Sequence, residues 1–251
     1  MTPESLLFHV PHASTEIPFH DGYTRPELIQ GEIDKLTDWY TDKIFHVDGV
    51  TALKAPCSRV FCDMERFVPD ENEPMAAKGM GFYYTHTDDG REFRHAGTWK
   101  NLVLHNFYQP HHQRLTQLVA DKLRATGQCC LIDGHSFAEV PFVREDDQRP
   151  DRPDVCLGTE GIHTPGWLVD AVRGVYESAG YWVELNRPYA GSIVPLEFLG
   201  TEPGVLSIMI ELNRRLYLDN HGVQKGAIEH LHELTARVVK KLLSENPFQI
   251  H

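Results

Sequence analysis

The sequence predicts an α/β protein built on a central mixed, mostly parallel sheet, and three observations carry that reading. Short apolar runs alternate with amphipathic helical patterns along the chain. Two of those runs deliver a histidine where they end, Leu6-Leu7-Phe8-His9-Val10 into Pro11-His12 and Cys129-Cys130-Leu131-Ile132 into Asp133-Gly134-His135-Ser136. Ligands of open α/β sheets gather at such strand exits. Finally, 251 residues suffice for one large domain with a sizeable core, and a single domain over 1–251 is expected.

Composition narrows the function classes. Net charge is −12 and no basic run exceeds a pair such as Lys240-Lys241, so nucleic acid and anionic membrane are not expected partners. No basic region precedes Leu6 and no apolar stretch approaches membrane-spanning length, so a soluble protein without a cleaved leader is expected. The five cysteines, an odd number without a CxxC pair, fit a reduced cytoplasm better than a disulfide framework. Most of the 15 histidines, among them His20, His46, His86, His230, His232 and His251, are expected on surfaces. Only histidines set by strand or motif context count toward a site.

After the first strand, 11–31 reads as a long loop. Ile33, Leu36, Tyr40 and Ile44 then space out one face of a helix running from Glu32 to about Asp48, which would stack Asp34, Asp38 and Asp42 in one column. A strand is expected over 51–55, and another over Val60 to Met64, bracketed by Arg59 and Arg66. Arginine there suits a substrate carboxylate, because its planar fork matches that anion, or else pairs internally with Asp63 or Glu65. A polar loop over 69–81 follows, and then a long helix from about Thr98 to Gly127, kinked or split at Pro110. His111 and His112 lie just beyond that break, where one could reach a cleft and the other is expected on the surface.

Past Ser136, the charged, proline-bearing run 144–154 reads as a flexible insertion. Strands are expected over 155–158, 181–185 and 205–210, with helices from Pro165 to Gly180 and from Val223 to Leu243. The 205–210 strand ends in Glu211, a carboxylate that is either functional or paired with a neighbour such as Arg214. His12, His135 and Glu211 thus come from strand exits and Asp38 from a helix. Two imidazoles and one carboxylate leave a coordination position open, as a catalytic zinc needs, and Glu211 is then the candidate general base. Satisfied core histidines are the competing reading, since no local HExxH holds such ligands together.

The succession Pro11-His12-Ala13-Ser14, Thr37-Asp38-Trp39, Ser58 to Arg66, Asp133-Gly134-His135-Ser136, Asn186-Arg187-Pro188-Tyr189-Ala190-Gly191 and Ile210-Glu211 through Tyr217 resembles the N-formylglutamate amidohydrolase family. The resemblance spans nearly the whole chain in order. It implies a three-layer α/β/α hydrolase fold related to zinc carboxypeptidases and aspartoacylase-like deacylases, and hydrolysis of an N-formyl or N-acyl amino acid. By that resemblance His12, Asp38 and His135 are expected to hold a divalent metal, zinc, and Glu211 to be the catalytic base. Arg59, Asp63, Arg66, Asn186 and Arg187 bind substrate, and His112 contacts substrate or the developing oxyanion.

Glu16 competes with Asp38 as third ligand, but His12 to Glu16 is HxxxE, not the HxxE of the carboxypeptidases. Glu65 replaces an asparagine of the histidine-degrading deformylases. Pro195-Leu196-Glu197-Phe198-Leu199-Gly200 replaces their Thr-Arg-His-Tyr-Gly, removing anion-binding groups that would suit a dicarboxylate. The alternatives on the same fold are a carboxypeptidase or amidase acting on a peptide or cell-wall fragment, and a non-catalytic small-molecule sensor.

Overall fold

A computed structural model of the chain describes residues 1–219 and 222–244, so His251 lies outside the described residues. The central sheet has six strands in the order β2-β1-β3-β6-β4-β5. These are β1 (Leu6–Val10), β2 (Thr51–Lys54), β3 (Cys129–Phe137), β4 (Val155–Gly158), β5 (Val183–Leu185) and β6 (Val205–Asn213). The pairs β1–β2, β1–β3, β3–β6 and β4–β5 are parallel and β4–β6 is antiparallel, which makes the sheet mixed and mostly parallel. The helices are α1 (Ile29–Leu36), α2 (Thr41–Ile44), α3 (Gly97–Val103), α4 (Gln109–Thr126), α5 (Gly166–Ser178) and α6 (Ala227–Ser244). A two-stranded ribbon, β7 (Leu218–Asp219) with β8 (Gly222–Val223), precedes α6.

Side chains alternate between the two faces of a strand, and that alternation sorts the layers. Leu6, Phe8 and Val10 of β1 join Cys130, Ile132, Leu206, Ile208 and Ile210 in a core covered by α5, α6 and the end of α2. Leu7, Cys129, Leu131 and Val205 face the other way, against Leu115 and Val119 of α4. Every residue of β1, β3 and β6 is buried, as expected for strands covered on both sides. Each fully buried aliphatic or aromatic side chain contributes about 1.5–3 kcal/mol, which offsets the ionisable groups packed on the α4 face. Among the described residues no helix is long and apolar enough to cross a membrane, and all five cysteines are free and buried.

The structure corrects several expectations. The helix expected from Glu32 to Asp48 stops at Leu36: Thr37 is extended and Tyr40 takes a left-handed φ of 63° before α2 begins. The column of Asp34, Asp38 and Asp42 therefore does not form. No strand runs from Val60 to Met64, because Phe61 and Cys62 turn back to donate to the Ser58 carbonyl, and both faces of the segment are buried. β3 and β6 extend past their apolar runs to Phe137 and Asn213, so His135 and Glu211 sit within strands, not beyond them. A π turn over Leu104–Tyr108 separates α3 from α4 and leaves Pro110 in the first turn of α4. Neither His111 nor His112 is on the surface.

The 144–154 run lacks regular structure but is pinned. Arg152, 1% exposed, donates to the Ala138 and Asp147 carbonyls and pairs with Glu145, while Lys78 pairs with Asp146. In β3, a Cβ on Gly134 would lie 2.4 Å from the ring of Phe45, so only glycine lets the end of α2 settle on the strand.

Candidate active site

Chain order reverses between β1, whose other neighbour is β2, and β3, whose other neighbour is β6. That is a topological switch point, where strand ends diverge and leave a crevice. On the α4 face of the sheet, His9 of β1 is the register partner of Asp133 of β3, and His135 of β3 is the register partner of Glu211 of β6. His12 leaves β1 just above them. Asp38 is brought in by the break after α1, where its backbone N–H donates to the His12 carbonyl at 3.0 Å.

Four predicted site residues converge here. His12, Asp38, His135 and Glu211 are 2, 1, 4 and 7% exposed. Nδ1 of His12 and Nδ1 of His135 are 3.2 Å apart, and Asp38 Oδ2 lies 3.7 and 3.3 Å from them. The other Asp38 oxygen accepts from Arg214 at 2.9 Å. Donors held about 2.1 Å from one tetrahedral ion stand roughly 3.4 Å from each other, so this triad is spaced to hold a divalent cation. Glu16 is exposed and does not line the cleft, so Asp38 fits the third position better.

Asp63 is the hub behind the triad. Its Oδ1 faces His12 Nε2 at 2.8 Å, and its Oδ2 accepts from Arg59 Nη2 at 2.9 Å and from the Tyr84 hydroxyl at 2.6 Å. Arg66 Nε stands 3.5 Å from the same oxygen and is buried without a hydrogen-bond partner among the described residues. Arg59, Arg66, Tyr84, His12, His135 and Glu211 line one cleft of about 440 Å³. Phe142 and Glu145 to Asp147 of the pinned segment form part of its wall.

Burial and neighbouring charge set the protonation of these groups. Burial pushes the Glu211 carboxyl up to about 7, and its Oε2 has no hydrogen-bond partner among the described residues. Burial also opposes ionisation of Asp38, yet His12, His135 and Arg214 hold its carboxyl well below the usual range. Asp63 is likewise held well below that range, against burial, by Arg59, His12 and Arg66. Burial would lower His135, but Asp133 and Asp38 raise it well above an ordinary imidazole. Such a field attracts positive charge, and a cation bound there displaces the proton.

Other predicted residues do not meet in this cleft. His112 Nε2 is 3.0 Å from the Met64 carbonyl, its ring lies against Tyr108, and it lines an adjoining, larger cleft of about 1080 Å³ that shares Glu65 and Arg66 with the first. Arg187 is occupied by Asp147, Asp151 and Glu184, and Asn186 hydrogen-bonds Thr159. Their substrate-binding assignment thus lacks a contact with the cleft; Arg187 instead fastens the 144–154 segment. Ser136 accepts from Arg214 through Oγ.

Sequence reasoning left His9 and Tyr84 unassigned, and met Glu65 only as a pairing partner for arginine and His111 only as one of the pair past Pro110. His9 Nδ1 is 2.9 Å from Asp133 Oδ1, and His9 Nε2 is 2.9 Å from His111 Nε2. The available signal for His9 was one imidazole inside an otherwise apolar buried strand, which must have a polar partner.

A mixed α/β sheet with ionisable side chains gathered at its switch point defines, as a class, an α/β enzyme scaffold with a strand-end active site. The model of N-formylglutamate amidohydrolase matches residues 4–218, and the chain belongs to that family. It is accordingly a hydrolase of amide C–N bonds. Its fold is similar to the crystal structure of an N-formylglutamate amidohydrolase from Ralstonia eutropha JMP134, with a TM-score of 0.81 at 23% identity over 94% of this chain and 92% of that one. It is also similar to a gene product from Agrobacterium tumefaciens, with a TM-score of 0.64 at 18% identity over 96% and 92%. A comparison with curated proteins gives no match.

Proposed function

We propose that the protein is a metal-dependent amidohydrolase that removes an N-formyl or N-acyl group from an amino acid with a free carboxylate, N-formylglutamate being the type substrate. The observation that carries this reading is one cleft holding three kinds of group. These are a His12–Asp38–His135 triad at cation-ligand spacing, a buried carboxyl at Glu211, and the guanidinium groups of Arg59 and Arg66.

Each part has a task. Arg59 and Arg66 bind the substrate carboxylate and orient the amide, with Asp63 fixing the angle of Arg59. Glu211, whose carboxyl burial pushes up to about 7, accepts a proton from the attacking water and returns it to the leaving amine. A divalent ion such as zinc, held by His12, Asp38 and His135, would supply Lewis acidity at the acyl carbonyl. Asp63 behind His12 and Asp133 behind His135 fix the two rings. His112 acts at one remove, holding the Met64 carbonyl and so the backbone leading to Arg66.

The −12 charge argues against nucleic acid as partner, and the free buried cysteines support a reducing compartment such as the cytoplasm. The test is release of formate and of free amino acid from a panel of N-formyl and N-acyl amino acids, with and without a chelator. Hydrolysis restricted to carboxylate-bearing N-acyl amino acids and lost on chelation is expected. Release of C-terminal residues from peptides alone, or unchanged turnover after chelation, rejects the reading.

A further inference from the structure

We propose that His9, Glu65 and Asp133 form a second divalent-cation site, set against the opposite ring nitrogen of His135 from the first triad. The three donors come from three segments: β1, the loop that carries Arg59 and Arg66, and β3. One ligand atom from each lies within 4.8 Å of the others. His9 Nδ1 is 2.9 Å from Asp133 Oδ1 and 3.2 Å from Glu65 Oε1. Nε2 of His135 borders the group, 3.1 Å from Asp133 Oδ1 and 4.0 Å from Glu65 Oε1.

A second observation separates this cluster from an ordinary ion pair. Glu65 Oε1 and His135 Nε2 are both buried, and neither makes a hydrogen bond among the described residues despite these short separations. Buried ligand atoms left without a hydrogen bond at such separations are spaced as donors to a shared cation are. His111 adds the outer contact. When His9 donates through Nε2 to His111 Nε2 at 2.9 Å, its Nδ1 faces the two carboxylates, where either a proton or a metal ion balances their charge.

The cluster lies where two clefts meet. Asp133 lines the larger cleft, His12, His135 and Glu211 line the smaller one, and Glu65 borders both. One imidazole and two carboxylates, with a second imidazole alongside, favour a first-row transition ion such as zinc or manganese over calcium or magnesium. Because Glu65 adjoins Arg66, an ion here ties the substrate-anchoring loop to β1 and β3.

The inference does not rest on the first triad being occupied. The test is zinc stoichiometry of the full chain by elemental analysis after gel filtration, for wild type, Glu65→Gln, His9→Gln and His12→Gln. Two equivalents in the wild type, falling to one in each variant, is the expected result. One equivalent that survives Glu65→Gln and disappears in His12→Gln overturns the second site, as do two equivalents unchanged by Glu65→Gln. One equivalent that survives His12→Gln and disappears in Glu65→Gln supports the second site and instead overturns the first. No zinc in the wild type overturns both. Should the variants fail to fold, zinc-soaked wild-type crystals measured at the zinc edge decide the matter. An anomalous peak among His9, Glu65 and Asp133 is expected, and a peak only at His12 rejects the site.

Discussion

His135 on β3 and Glu211 on β6 are register partners on adjacent parallel strands. The imidazole of the first triad and the buried carboxyl beside it are therefore spaced by a backbone ladder and not by loops. Sites mounted this way keep their geometry with little reorganisation.

Glu211→Gln preserves shape and removes the proton acceptor. It is expected to lower kcat on an N-formyl amino acid by about 10²–10⁴-fold while zinc content stays at the wild-type level. Undiminished turnover would remove Glu211 from the reaction.

Burial raises the Glu211 carboxyl from 4.5 to about 7, and the two consequences have opposite signs. As a base it must be ionised, so kcat/KM should climb with pH as Glu211 loses its proton and then level off, with a bound cation moving that rise below the metal-free value of about 7. For stability, the folded protein keeps this proton over a range where the unfolded chain has lost it. The contribution is complete below about pH 4.5 and is lost as pH rises through 7. Metal-free Glu211→Gln should therefore melt higher than wild type near pH 8 and not near pH 4. An equal difference at both pH values would show that burial is not the cause.

Arg66 and Arg59 separate binding from positioning. Arg66→Ala should raise KM for a carboxylate-bearing substrate by about 10–100-fold, the loss of one charge-assisted bond, and leave the matching amide unaffected. Arg59→Ala frees Asp63 and through it His12, so it should also weaken zinc binding. Steady-state kinetics paired with zinc titration distinguishes the two.

The third ligand is tested by titrating zinc into Asp38→Ala, Arg214→Met and Glu16→Ala. Asp38→Ala should abolish binding at the first triad. Arg214→Met, which removes the partner of Asp38 Oδ1, should weaken it by about 10–100-fold, and Glu16→Ala should change nothing. Loss of zinc in Glu16→Ala would move the ligand there.

Much of the sheet was legible because β1, β2 and β4 are short local runs whose character owes little to distant residues. The polar ends of β3 and β6 were misread as loops, since Asp133, His135 and Glu211 are stabilised in extended backbone by one another across strands. Asp38 does meet His12 and His135, but not by the helical route that the spacing suggests. Helical spacing of Ile33, Leu36, Tyr40 and Ile44 continues through a break that only tertiary contacts with His12 impose. His9 stayed hidden because its partners, Asp133 and His111, are remote in sequence. Arg187 looked available because Asp147 and Asp151, two of the three acids that occupy it, lie on another segment.

The close fit between Gly134 and Phe45 links two layers of the molecule at a single hydrogen atom. Phe45 closes α2, and α2 follows directly on the break that delivers Asp38. An added methyl at 134 would act as a wedge, lifting the helical layer and drawing Asp38 away from both histidines without touching any of the three. Tolerance to substitution in this enzyme is thus governed by interlayer clearance as well as by the chemistry of the groups it displays.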